Sequence, residues 1–120
     1  AKENGYSVVR QVGGHGIGLE FHEAPYVSYV IKKGTGMVMA PGMVFTIEPM
    51  INMGTSEIYI DEQNGWTIYT DDEKPSAQWE IMVLVTNDGY EVMSGNKKWI
   101  KKLRIMPGLF LMGAPGGARF

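Results

Sequence analysis

Both histidines of this 120-residue chain lie in one glycine-rich stretch, "GGHGIGLEFHE", at residues 13–23. His15 stands between Gly14 and Gly16, where the backbone can adopt positive φ and approach a bound group closely. On a regular strand, residues seven positions apart point to opposite faces. His15 and His22 can therefore serve one cavity only if the glycine segment bends the strand or the cavity lies at a sheet edge. The alternative is that both are ordinary turn histidines.

Two glutamates interrupt apolar sequence further along the chain. Glu48 lies within "FTIEPMI" and Glu80 within "AQWEIMVLV". A buried ionised carboxylate costs several kcal/mol unless it is paired or bound to a metal, although each glutamate could instead face solvent. Imidazole and carboxylate donors, in a chain without cysteine, suit a borderline or hard divalent ion. His15, Glu48 and Glu80 are therefore candidate metal ligands.

Composition limits the function classes that remain. Lysine and arginine number 11 against 13 acidic residues, so the net charge of −2 lacks the basic excess of a nucleic-acid surface. The absence of cysteine excludes disulfides and is compatible with a reducing cytosol. No apolar run reaches about 18 residues, so the sequence predicts neither a leader nor a membrane span. We expect a cytoplasmic domain with no nucleic-acid or membrane partner. Since the chain starts with alanine, we also expect it to be part of a longer one.

Strand signals dominate the elements that must position these side chains. An Asn-Gly pair at 64–65, between two short β runs, predicts a hairpin. Helix is scarce: residues 1–4 resemble the end of a helix, and 94–105 have the apolar spacing of a short amphipathic one. The predicted strands, in one connected antiparallel sheet, are 6–12, 42–53, 56–60, 65–70, 77–86 and 90–94. The side chains expected in the core or on a covered sheet face are Val44, Phe45, Ile47, Ile81, Val83 and Val85.

Four longer motifs resemble a known family. "GGHGIGLEFHEAPYV", "PGMVFTIEPMIN", "GWTIYTDDEKPSAQWE" and "VTNDGYEV" resemble, in order and spacing, the C-terminal half of a type I methionine aminopeptidase over residues 1–93. Prolidase and aminopeptidase P share the His-Gly and Glu-Pro motifs, but Ser-Ala-Gln before Glu80 favours the type I aminopeptidases. The resemblance implies an α/β (α+β) fold, half of a pita-bread domain, with a curved, mainly antiparallel sheet and few helices. Residues 94–120 would then be a short amphipathic segment and a loose tail rich in glycine and proline.

The resemblance also implies a role for each candidate residue. His15 and Glu80 match metal ligands, Glu80 as the carboxylate that bridges two ions. Glu48 matches a ligand that also takes a proton from the attacking water, and His22 matches a histidine that contacts the scissile peptide without binding metal. The side chains that match the methionine pocket are Phe21 and Trp66. The implied activity is removal of N-terminal methionine from peptides and nascent proteins, with two divalent ions (cobalt, manganese, iron or zinc) per complete site.

The chain departs from the family's pattern in two ways. The family's site also uses two aspartates and a further histidine from a preceding half, which match nothing in this sequence. We therefore expect the chain alone to hold one ion or none, and to be inactive until a missing N-terminal half or a second chain completes the site. Ile81-Met82 follows Glu80 where relatives often have His-Thr. The alternatives are a truncated, inactive relative that binds a peptide or protein, and a plain structural domain.

Overall fold

The computed structural model describes residues 1–94, so the predicted amphipathic helix and the tail fall almost entirely outside it. The described residues form one 3₁₀ helix, Lys2–Asn4, and ten strands, and each strand pairs with its neighbours in the antiparallel sense. The strands are β1 (Ser7–Val8), β2 (Gly14–Gly16), β3 (Glu23–Val27), β4 (Val44–Ile47), β5 (Met50–Asn52), β6 (Ile58–Ile60), β7 (Ile68–Thr70), β8 (Ser76–Gln78), β9 (Ile81–Val85) and β10 (Tyr90–Val92). Among residues 1–94, no helix has the length and apolar character that a membrane crossing requires. The expected antiparallel architecture with few helices is confirmed.

The largest sheet has five strands in the order β10-β9-β4-β2-β3. Its centre is the β4–β9 pair, in which Phe45 lies opposite Val83. Both side chains are buried, together with Val85, which confirms these three core predictions. Val9, which is only 1% exposed, is a core residue that the sequence did not single out. The predicted core residues that stay partly exposed are Val44, Ile47 and Ile81.

The prediction of one connected sheet is wrong, because two of the predicted strands are broken. The strand expected over 42–53 divides into β4 and β5 at Glu48-Pro49, and the strand expected over 77–86 divides into β8 and β9 at Trp79-Glu80. Proline has no N–H and cannot continue a ladder of hydrogen bonds, so the pairing stops there. Beyond the break, β5 lies between β1 and β8 in a separate three-stranded sheet.

The antiparallel register is the same on both sides of this break. Ile47 pairs with Ile81 before it, and Met50 pairs with Gln78 after it. The register therefore carries Glu48 to a position directly opposite Glu80. Residues that face each other across an antiparallel pair project to the same side of the sheet. The joint between the two sheets thus presents two carboxylates together.

Strands β2 and β3, which carry the histidine stretch, were not predicted. Glycine is unfavourable in strands, so the sequence of β2 indicates a bend instead. A Cβ on Gly16 would overlap the carbonyl oxygen of Ala24 on β3. A Cβ on Gly14 would overlap the carbonyl oxygen of Thr46 on β4 and the hydroxyl of Tyr29. The glycines are therefore required by the close approach of neighbouring backbone and side chains.

The predicted hairpin is confirmed in the two-stranded sheet of β6 and β7. Its loop is longer than an Asn-Gly turn alone would give, since it spans residues 61–67 and β7 begins only at Ile68. Gly65 takes the left-handed conformation, with φ of 63°, that glycine adopts readily. The rings of Tyr59 and Tyr69 stack on the hairpin at a centroid distance of 5.4 Å.

Candidate metal centre and adjoining pocket

Three of the predicted site residues bring their polar ends to one point. His15 comes from β2, Glu48 directly follows β4, and Glu80 directly precedes β9. One nitrogen or oxygen atom from each lies within 4.8 Å of the others, and all three residues are partly buried. The convergence expected from the sequence is confirmed, and their role as metal ligands stays a prediction.

The His15 ring is oriented by its own strand. Its Nδ1 lies 3.0 Å from the carbonyl oxygen of Gly16. A carbonyl can only accept a hydrogen bond, so Nδ1 carries a proton, and in the neutral form of the ring Nε2 presents a lone pair. That lone pair faces Oε1 of Glu48 at 3.6 Å. A cation between these atoms would replace repulsion between two electron-rich groups with attraction to both.

The Glu48 carboxylate is held by two donors. Its Oε1 accepts a hydrogen bond of 2.7 Å from the Thr46 hydroxyl, and its Oε2 accepts one of 3.2 Å from Nε2 of Gln78. The same Gln78 nitrogen also donates to the Glu48 backbone carbonyl at 3.1 Å. These contacts fix the carboxylate at the break between the two sheets, with Oε1 toward His15.

Electrostatics at the site disfavour two free carboxylates. Burial raises the pKa of Glu80 above its ordinary value, and the negative charge of Glu48 raises it further. His15 and His22 act in the opposite direction on the pKa of Glu80. A bound divalent ion would favour the ionised carboxylate and reverse this shift.

His22 lies beside the cluster and not within it. Its ring centroid is 4.2 Å from that of His15, in an edge-to-face arrangement. The register between β2 and β3 shifts after His15, and residues 17–22 form the loop that turns the chain back. This bend answers the objection that residues seven apart on a strand face opposite ways. The ring of Phe21 lies 4.6 Å from His22 and 5.5 Å from His15.

The loop that presents Phe21 and His22 is held by a residue that sequence reasoning missed. The Glu23 carboxylate accepts a hydrogen bond of 3.2 Å from the backbone N–H of Glu20. A Cβ on Gly18 would overlap this carboxylate, so glycine leaves the space that Glu23 fills. The adjacency of Glu23 to His22 in the sequence was a signal, but its contact with the loop backbone depends on the bend.

Two hydroxyl-bearing residues that the sequence did not single out also contact the site. Thr46 is fully buried and bonds both to Glu48 and to the backbone of His15. Tyr29 accepts a hydrogen bond of 2.7 Å from the Glu48 backbone N–H. The position of Thr46 two residues before Glu48, on the same strand face, could have indicated its role. Nothing local to Tyr29 could have done so.

An open cavity of about 840 Å³ adjoins the cluster, a size typical of small-ligand sites. All six residues that the sequence assigned to the site line it. Trp66 is held at its rim, because the Asn64 side-chain oxygen accepts hydrogen bonds of 2.8 Å from the N–H groups of Trp66 and Thr67. Further apolar side chains on the wall are Val12, Met50, Ile58, Ile60, Ile68 and Tyr69. The cavity can hold an apolar side chain next to the three candidate metal ligands.

The donor set fits a divalent ion. Nitrogen and oxygen ligands bind such ions at about 2.0–2.2 Å, so two ligands of one ion lie at most about 4.4 Å apart. The three candidate atoms, within 4.8 Å of one another, need to close only slightly. One imidazole and two carboxylates suit manganese, iron, cobalt or zinc. Among residues 1–94, the groups that act electrostatically on the pKa of Glu80 are Glu48, which raises it, and the two histidines, which lower it, and no lysine or arginine is among them.

Comparison with known proteins agrees with this geometry. The model of metallopeptidase family M24 matches residues 1–87. The methionine aminopeptidase of Chlamydia muridarum is 51% identical over 94 residues, which are 78% of this chain and 32% of that protein. The chain thus spans about a third of the length of the curated relatives it matches.

Solved structures extend the likeness to the fold. The methionine aminopeptidase of Rickettsia prowazekii superposes with a TM-score of 0.74 at 44% identity, over 76% of this chain and 37% of that one. The methionine aminopeptidase of Thermotoga maritima superposes with a TM-score of 0.75 at 36% identity, over 79% of this chain and 38% of that one. The antiparallel fold is therefore half of the pita-bread fold. The family model covers most of the chain, and the chain belongs to metallopeptidase family M24.

Proposed function

We propose that this chain supplies the C-terminal part of a metal-dependent aminopeptidase, which removes N-terminal methionine from peptides and nascent proteins once the domain is complete. The observation that carries the proposal is the convergence of His15, Glu48 and Glu80 beside an apolar cavity. The relatives' names supply the substrate class, since methionine aminopeptidases act on N-terminal methionine.

A divalent ion would be held here by Nε2 of His15 and by the carboxylates of Glu48 and Glu80. When bound, cobalt, manganese, iron or zinc supplies a Lewis acid that lowers the pKa of a water and polarises a peptide carbonyl. The family's complete site uses two ions. The remaining ligands would come from an N-terminal segment or from a second chain.

The chain's own residues handle protons, charge and substrate position. Glu48, fixed by Thr46 and Gln78, takes a proton from the attacking water and delivers it to the leaving amine. His22 donates a hydrogen bond to the peptide carbonyl as negative charge develops on its oxygen. The two rings that contact the methionine side chain are those of Phe21 and Trp66, and an unbranched thioether adapts well to such a slot.

This function implies the partners and the location. The substrate is the N-terminal peptide of a nascent protein that begins with methionine, so we expect the cytoplasm, where such chains emerge. Neither nucleic acid nor membrane takes part in the proposed reaction.

The test is hydrolysis of a methionine-initiated tripeptide in the presence of Co²⁺ or Mn²⁺. The chain is assayed alone and after mixing with the N-terminal part of a type I methionine aminopeptidase. We expect cleavage only in the mixture, and a loss of about 10²–10⁴-fold in kcat for Glu48→Gln. Glu57→Gln, at an exposed glutamate, is the matched control. A mixture that binds the metal and the peptide without cleaving it would instead support a binding module.

A further inference from the structure

Strands β2 and β4 separate as they approach the candidate metal centre. They pair at Gly16 and Phe45, and the next amide along, that of Ile17, donates to the carbonyl of Val44 at 3.0 Å. If the ladder continued in the other direction, His15 would lie opposite Thr46 and would bond to backbone. The backbone N–H groups in the gap bond to side-chain hydroxyls instead. Buried amides must find such partners, so these hydroxyls take the place of the missing ladder.

The first of these hydroxyls belongs to Thr46, which has no exposed surface. Its Oγ1 accepts a hydrogen bond of 2.9 Å from the His15 backbone N–H. The hydroxyl oxygen lies 2.7 Å from Oε1 of Glu48 and 3.5 Å from the carbonyl oxygen of His15, and either oxygen could accept its proton. The hydroxyl donates to the nearer acceptor, Oε1 of Glu48. One hydroxyl therefore connects the backbone of one candidate ligand to the carboxylate of another.

The second hydroxyl belongs to Tyr29, which follows β3. Its oxygen accepts a hydrogen bond of 2.7 Å from the Glu48 backbone N–H and lies against Gly14 of β2. Burial raises the pKa of this phenol, so it stays neutral and keeps its proton. The absence of a side chain on Gly14 leaves room for the ring to reach this point.

We propose that Thr46 and Tyr29 form a hydroxyl wedge between β2 and β4, which sets the separation of His15 and Glu48 and thereby the affinity of the site for a divalent ion. Both act as positioning residues, since neither contributes to the three-atom cluster. The inference rests on the proposed function for the identity of the ion, whereas the wedge is a feature of the metal-free chain.

The test compares two hydroxyl deletions in the 120-residue chain. Co²⁺ and Mn²⁺ affinities are measured by calorimetry for the wild type, Tyr29→Phe and Thr46→Val. We expect each deletion to weaken binding by about 10–100-fold, as is typical for groups that orient metal ligands. Thr46→Ser, which keeps the hydroxyl, should bind within about threefold of the wild type. Tyr26→Phe removes an exposed hydroxyl that contacts the Arg10 carbonyl at 3.5 Å and bonds to none of the three ligands, and it should change nothing.

Amide hydrogen exchange in EDTA tests the wedge without any metal. Tyr29→Phe should speed exchange at Glu48 by at least tenfold, and Thr46→Val should do so at His15. Unchanged exchange at these amides overturns the wedge, whatever the metal result. A deletion that lowers the unfolding midpoint but leaves the affinity of the folded chain unchanged also overturns the proposed positioning role. If the wild-type chain alone binds neither ion, as its incomplete ligand set allows, hydrogen exchange decides the wedge.

Discussion

Glu48 and Glu80 face each other in one antiparallel register, at the joint where the five-stranded sheet passes into the three-stranded one. Like charges directly opposite each other destabilise a strand pair. The chain nevertheless keeps both carboxylates on one face, with Nε2 of His15 3.6 Å from Oε1 of Glu48. Such an arrangement is unfavourable in the metal-free chain and would become favourable with a bound cation.

The first prediction is that Glu80→Gln stabilises the metal-free chain while it weakens metal binding. Removing one of two opposed charges should raise the free energy of unfolding by about 0.5 kcal/mol at neutral pH, and urea unfolding in EDTA measures this. Glu91→Gln, at an exposed glutamate on β10, is the control and should change little. A variant that is less stable than the wild type in EDTA would contradict the repulsion.

The difference in unfolding free energy between Glu80→Gln and the wild type should depend on pH, in a direction that the raised pKa of Glu80 determines. Because the pKa of Glu80 is raised in the folded chain, its protonated form stabilises the fold. That contribution is fully present below the ordinary pKa of 4.5 and is lost as the pH rises through the raised value. The stability advantage of Glu80→Gln should therefore be small in acid and should grow toward neutral pH. A difference that stays constant from pH 4 to pH 7 would rule out this origin.

Site residues could be predicted where their signal lies in neighbouring sequence, and could not be predicted where it depends on contacts between distant segments. His15, Glu48 and Glu80 stood out because polar residues among glycines or apolar strand residues are chemically conspicuous along the sequence itself. The break at Pro49 was visible only in hindsight, since a strand pattern runs through it and its effect depends on the partner strand. Tyr29 could not be predicted, because its hydroxyl reaches Glu48 across a packing arrangement that the sequence does not encode locally.

The second prediction concerns Gly14, which has two neighbours within the space of a Cβ. Gly14→Ala would push the methyl group into the carbonyl oxygen of Thr46 and the hydroxyl of Tyr29. The backbone contact cannot yield as a flexible side chain would, so we expect a loss of about 1–3 kcal/mol in unfolding free energy. Gly36→Ala is the matched control, because its Cβ would meet only the Ile31 side chain at 3.5 Å. Equal urea midpoints for the two variants would show that β2 has room to move.

The third prediction concerns Asn64, which holds Trp66 at the rim of the cavity. Asn64→Ala removes the acceptor of two backbone N–H groups, those of Trp66 and Thr67, at a cost of about 0.5–1.5 kcal/mol in stability. If Trp66 contacts the methionine side chain, Asn64→Ala should raise the KM for a methionine-initiated peptide and affect kcat less. The assay uses the complemented enzyme, which is the chain mixed with the N-terminal part of a type I methionine aminopeptidase. Asn87→Ala, in an exposed turn, should leave KM unchanged. If Asn64→Ala leaves KM unchanged, the proposed contact of Trp66 with the methionine side chain is wrong.

The fourth prediction concerns Glu23, whose carboxylate holds the loop that brings His22 against His15. Glu23→Ala removes the acceptor of the Glu20 backbone N–H, so the loop should loosen and the nuclear Overhauser effect between the two imidazole rings should weaken. Glu23→Gln keeps an acceptor oxygen and should restore the signal.

Glu23 lies outside the three-atom cluster, so Glu23→Ala should leave the Co²⁺ affinity within about threefold of the wild type while kcat of the complemented enzyme falls. Glu20→Ala is the control, since the loop uses only the backbone of that residue. If affinity and kcat fell together in Glu23→Ala, the loop would be supporting the metal ligands as a whole. A fall in kcat alone, reversed by glutamine, is the outcome that separates the position of His22 from metal binding.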